Sequence, residues 1–203
     1  MDELARNRYP GVDWKQDLRV SQHELAEHEK FGEGVASVCN AVERYVMRSA
    51  LAFRKLLDRV VLTDEVKQID WNLRAYPCTK PPETRYSFDG TIDLENLHHF
   101  VRHYDTDRLT KRTLRLQRLA NLLIHNFVFV VWPPDPGKPY DAARFFFNSD
   151  FNKDEVVYEM TVTEFKQIVE EVLYDEVVYI SQDRETGEIH QHNAAWRSRL
   201  YAA

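Results

Sequence analysis

Residues Val35, Val38, Val42, Tyr45, Val46, Ser49, Phe53, Leu56, Leu57 and Val60 recur at three- and four-residue steps. That period predicts one long amphipathic helix. Upstream, Ser21 followed three positions later by Glu24 has the spacing of a capping box, so a short helix is expected from Ser21, ending at Phe31-Gly32-Glu33-Gly34. Residues 1–20, with Tyr9-Pro10-Gly11 and Trp14, show no clear period and read as an arm that packs through its aromatics. Thr63-Asp64-Glu65 suits the start of a helical turn. Pro77, Pro81, Pro82 and Asp89-Gly90 then make residues 76–90 an extended loop. Asp93 is placed to cap a helix over about 94–104, and Asp105 or Thr106 to restart a longer one toward Asn126.

After Asn126 the pattern changes. Phe127 to Val131 is β-branched and aromatic and is closed by Pro133-Pro134-Asp135-Pro136-Gly137, which marks a strand. Arg144 to Asn148 and Glu155 to Met160 read as a strand pair around Asp150-Phe151-Asn152-Lys153. Thr163 to Leu173 reads as a helix with Phe165, Ile168, Val169 and Val172 inward, and Glu176–Ile180 and Glu188–His192 flank a turn at Glu185-Thr186-Gly187. The expected fold class is α+β, in a single domain over residues 1–203. Helices, one of them long and amphipathic, fill the N-terminal two-thirds (about 21–126). A small antiparallel sheet with one helix fills the C-terminal third (about 127–203).

Composition narrows the classes. The chain has 203 residues with a formal net charge of −6, 43% hydrophobic and 12% aromatic, enough for a real core rather than a disordered chain. The apolar run Phe127-Val128-Phe129-Val130-Val131-Trp132 is far below the roughly 20 residues of a membrane span, so no membrane partner is expected. Met1 to Pro10 lacks the apolar stretch of a secretory leader. Cys39 and Cys78 are the only cysteines, which excludes a disulfide framework and fits a reducing cytoplasm.

Candidate chemistry concentrates between residues 108 and 126. Arg108, Lys111, Arg112, Arg115 and Arg118 place five positive charges in eleven residues without an acid, and on the expected helix they share one broad face able to neutralise phosphates. Alternatively the stripe pairs with residues 150–188, which hold 12 acids against 3 bases. Arg118, Asn121 and His125 recur at i, i+3 and i+7 as a polar line in an otherwise apolar segment. This Arg118-Leu119-Ala120-Asn121-Leu122-Leu123-Ile124-His125 run resembles the Arg-x(4–6)-His motif of the HEPN superfamily. The resemblance implies an all-helical domain and a metal-independent ribonuclease. In it His125 would act as general base or acid on the ribose 2′-hydroxyl, Arg118 would stabilise phosphate charge and Asn121 would orient the base. The family places a polar residue where Leu119 stands here.

Asn121-x-x-Ile124-His125-Asn126-Phe127-x-Phe129 together with Phe146-Phe147-Asn148-Ser149-Asp150-x-x-Lys153 resembles a pattern in uncharacterised bacterial proteins, some associated with mobile genetic elements. That resemblance carries no activity, but it implies that Asn121, His125 and the Asn148-Ser149-Asp150 turn lie near one another. His99 and His103, four apart beside His98, have the spacing of paired metal ligands, yet Phe100 stands where a zincin carries Glu. His190 and His192 alternate on the final strand. No bound metal and no cofactor is expected. Phe127, Trp132, Phe145 and Phe147 form a candidate roof for a ligand pocket between helices and sheet. No phosphate-binding glycine loop and no Gly-x-Ser-x-Gly elbow occurs, and Glu164-Phe165-Lys166 falls on a helix where a nuclease needs a strand.

The leading expectation is a non-catalytic binding or interaction protein. Trp14, Trp71, Trp132 and Trp196 would supply its contact aromatics, and its long apolar stripe would suit a protein partner or a second copy of the chain. The alternatives are the HEPN-like ribonuclease or RNA-binding protein, and a small-ligand protein using the aromatic pocket.

Overall fold

A computed structural model describes residues 12–31, 34–59, 61–79, 101–135 and 137–194. Two antiparallel helices, α1 (Val12–Phe31) and α2 (Val35–Leu57), lead into a short α3 (Asp64–Lys67). Then come β1 (Trp71–Pro77), β2 (Thr110–Leu114), α4 (Leu116–Ile124), β3 (Asn126–Trp132), β4 (Arg144–Ser149), β5 (Val156–Thr161) and α5 (Val162–Tyr174). A hairpin of β6 (Tyr179–Gln182) and β7 (Ile189–His192) follows. Strands β2-β1-β5-β4-β3 form one antiparallel five-stranded sheet, and β6 and β7 a separate pair.

The fold is α+β, but the sheet occupies more than a small C-terminal part. Two of its five strands, β1 and β2, come from the part expected to be helical, about 21–126, and only the end of β1 from the expected loop over 76–90. In β1, Leu73 and Ala75 are buried and alternate with the less buried Asn72 and Arg74, the two-residue period of a strand. The helix expected from Asp105 or Thr106 to Asn126 is instead strand β2, a break at Arg115 in extended backbone, and the nine-residue α4. The all-helical domain implied by the HEPN resemblance is therefore absent among the described residues. Helix α1 also begins well before Ser21. That residue does not cap a helix but sits within one, its hydroxyl donating to the Asp17 carbonyl at 2.9 Å. Residues 80–100 lie outside the described residues. Of the expected helix over 94–104 the described part, 101–104, ends in a turn and a bridge from Tyr104 to Cys78, and of the expected loop over 76–90 Tyr76 and Pro77 belong to β1.

The inner sheet face carries Leu73, Ala75, Phe145, Phe147, Tyr158 and Met160, and α2, α4 and α5 cover it. Phe165 of α5 is central, with ring centroids 5.6 Å from Tyr45, 5.9 Å from Phe53 and 5.7 Å from Phe145. Thr161 and Glu164 close a reciprocal capping box at the start of α5, which fixes where strand becomes helix. Thr63 caps α3 as expected, and the buried Asp175 carboxylate accepts from both the Thr63 amide and hydroxyl at 2.7 Å. Among the described residues no helix is long and apolar enough to cross a membrane.

Candidate functional site

Three segments distant in sequence converge on one cleft of about 410 Å³. The last turns of α2 bring Leu51, Arg54, Lys55 and Asp58, and α4 brings Arg118, Asn121, Leu122, Ile124 and, at its end, His125. The turn after β4 brings Ser149 and Phe151.

Helix α4 holds its polar line rigidly because the rest of it is core. Leu116, Leu119, Ala120, Leu122 and Leu123 are buried, which forces Arg118, Asn121 and His125 toward the surface along the remaining edge. The helix ends where the His125 amide donates to the Asn121 carbonyl at 3.0 Å and the Asn126 side-chain amide donates to the Leu123 carbonyl at 2.7 Å. Asn126 then pairs with Ser149, so the first residue of β3 brings the turn after β4 beside His125. The expected proximity of Asn121, His125 and the Asn148-Ser149-Asp150 turn is thus present. That turn is tightly tied. The Asn152 side-chain oxygen accepts from the Ser149 amide at 2.8 Å and the Ser149 hydroxyl at 2.9 Å, and the Asn152 amide donates to the Ser149 carbonyl at 3.0 Å.

Electrostatically the cleft is cationic. Arg54 donates to the Asn121 side-chain oxygen at 3.0 Å and lies 3.5 Å from Asp58, the single carboxylate of the lining. Lys55 and Arg118 form no ion pair with any described residue. Asp150, next to the lining residues, is paired with Lys153 at 3.1 Å. Arg54, Lys55 and Arg118 therefore outweigh Asp58, and the Asn121 amide group remains free to donate.

The other candidates do not assemble. On β2, Lys111 lies opposite Arg74 and Arg112 opposite Leu73, so the two project from opposite sheet faces rather than along one helix face. Arg108 lies in the loop before β2, and Arg115 stands 3.8 Å from Asp70. Only Arg118 of the five basic residues reaches the cleft. The aromatic roof is split in the same way. Phe145 and Phe147 are fully buried on the inner face, Phe127 packs into the cluster on the outer face, and Trp132 lies half-exposed on that outer side against Phe146. Trp14 and Trp71 pack half-buried against the main core, and Trp196 lies outside the described residues.

His98 and His99 also lie outside the described residues, so their relation to His103 is not described. His190 and His192 do share a face of β7, with ring centroids 6.3 Å apart, and His190 contacts Asp64 at 3.2 Å. Among the described residues no group of three or more His, Cys, Asp or Glu is arranged to hold a metal.

Sequence reasoning found the α4 half of the cleft and missed Arg54, Lys55, Asp58 and Phe151. Two cations in the last turn of a helix are ordinary partners of its dipole and draw no notice alone. Phe151, an aromatic within Asp150-Phe151-Asn152-Lys153, was the available signal. No family model, no curated protein and no solved structure matches the chain.

Proposed function

We propose that this is a binding protein that captures a phosphate-bearing ligand in the cleft between α2, α4 and the turn after β4. The observation that carries the reading is the convergence of Arg54, Lys55 and Arg118 with Asn121 and His125 around a single, already paired carboxylate. Guanidinium and ammonium groups on packed helices give an anion fixed positive charge and hydrogen-bond donors at little reorganisation cost.

A short single-stranded RNA, which offers several phosphates, tests this. Affinity should fall with salt, and Arg118→Ala and Lys55→Ala should each weaken binding and flatten the salt slope by about 0.7. Equal affinity and slope in wild type and both variants would contradict the cleft. The same samples, held in excess EDTA, address a second reading favoured by the exposed imidazole beside Arg118, a metal-independent ribonuclease. Binding alone predicts RNA of unchanged length. Cleavage to 2′,3′-cyclic phosphate ends, lost in an Arg118→Ala, His125→Ala double variant, would establish the second reading instead.

A further inference from the structure

Phe151 is 88% exposed, the most exposed of the large apolar residues among those described. A phenyl ring in water on a floppy loop would mean little, but this one stands on the turn that Asn152 ties with three hydrogen bonds to Ser149. Its placement is imposed by the fold, while its burial is not. Lys153, two residues on, is already seated 3.9 Å from the centroid of Phe127 and paired with Asp150, so it does not cover Phe151. The cleft that gathers the cations thus has Phe151 among its lining residues, its ring left almost wholly uncovered by the described residues. Apolar side chains Leu51, Leu122 and Ile124 complete the lining.

A ligand that satisfies all of this has an anionic end for Lys55 and Arg118, a flat apolar end for Phe151, and hydroxyl groups within reach of Asn121 and His125. A nucleotide has these parts, and at about 410 Å³ the cleft falls within the range of small-molecule sites, about 300–1,000 Å³. Base stacking on an exposed aromatic beside a cationic track is also how single strands are held without sequence readout. We infer that the cleft recognises a nucleoside 5′-phosphate unit, free or within a strand, with the base stacked on Phe151 and the phosphate held by Lys55 and Arg118. The inference rests on the phosphate-binding reading of the same cleft and adds the base to it.

The test compares adenosine 5′-monophosphate, ribose 5-phosphate and adenosine by calorimetric titration of wild type, Phe151→Ala, Phe151→Trp and Arg118→Ala. Wild type should bind the nucleotide about tenfold more tightly than ribose 5-phosphate, in line with the worth of one stacked base. Phe151→Ala should erase that difference and Phe151→Trp should keep it. Because the ring is almost wholly in water, neither substitution touches the core. Arg118→Ala should weaken both phosphates and leave the weak binding of adenosine unmoved. Equal binding of nucleotide and ribose 5-phosphate by wild type, still dependent on Arg118, would overturn the stacking inference while leaving the phosphate site standing. Binding of neither phosphate, or binding indifferent to Arg118, would overturn both. A parallel titration with a short RNA distinguishes the sources. A Phe151-dependent gain of the strand over the mononucleotide assigns the site to strands, and equal affinity assigns it to free nucleotides.

Discussion

Asp175 shows how much one side chain carries here. Its two carboxylate oxygens accept the Thr63 amide and hydroxyl at 2.7 Å, and its carbonyl accepts from Lys15, so the end of α5, the start of α3 and helix α1 meet at one residue. The group is buried, and both Thr63 donors lose their partner if it is removed. Asp175→Ala should therefore cost about 1–3 kcal/mol in urea unfolding. Asp175→Asn should cost clearly less, because the threonine hydroxyl can rotate to accept from the new amide. Equal loss in the two variants, or none in the alanine variant, would contradict this account. Nothing in the sequence singled the residue out, because it is one acid in an acidic stretch and its partner lies 112 positions away. Arg118, Asn121 and His125 were legible for the opposite reason: polar groups at helical spacing inside an apolar segment stand out locally.

At the scale of elements, α2 and α5 were legible because each buries one face and writes its period into the sequence, and β3, β4 and β5 because each is a continuous run rich in aromatic and β-branched residues, with β4 and β5 buried on both faces. Strand β2 was not. It lies at the sheet edge with Lys111, Arg112 and Thr113 all exposed, so it carries no two-residue apolar period, and its cations guard that edge against pairing with another chain. Strand β1 had the alternation, hidden beneath the prolines that follow it. The β6–β7 hairpin is held to α3 by polar groups. Asp64 accepts from the Gln191 amide at 3.3 Å, His190 lies 3.2 Å from its carboxylate, and Lys67 bonds both Asp64 and Gln191. Burial pushes the Asp64 carboxyl upward, but the Gln191 amide, Lys67 and His190 outweigh it and hold it below its ordinary value. A carboxyl depressed by folding stabilises above its unfolded pKa of about 3.9, and that contribution is lost as pH falls through the lower folded value. The methyl resonances of Ile180 and Ile189 should accordingly show a transition below a pH of about 4. Asp64→Asn should remove that acid transition, and a transition unchanged in the variant would place its cause elsewhere.

For the whole molecule, the long apolar stripe of α2 was expected to suit a protein partner or a second copy of the chain, and Val35 and Leu51 of that helix do remain exposed. Most of the stripe serves the chain's own core: Val42, Tyr45, Val46, Phe53 and Leu56 of α2 are buried beneath the protein's own helices and sheet. The cleft was only half readable because residues 51–58, 118–125 and 149–151 meet through the packing of α2 on α4 and the pairing of Asn126 with Ser149. Neither relation is local in sequence. The most direct test of the phosphate site is a titration of isotope-labelled protein with inorganic phosphate, followed through backbone amide and arginine side-chain resonances. Saturable shifts centred on Arg54, Lys55, Arg118, Asn121 and His125 are expected. Shifts centred instead on Lys111 and Arg112 of the edge strand, or no saturable shift anywhere, would contradict it.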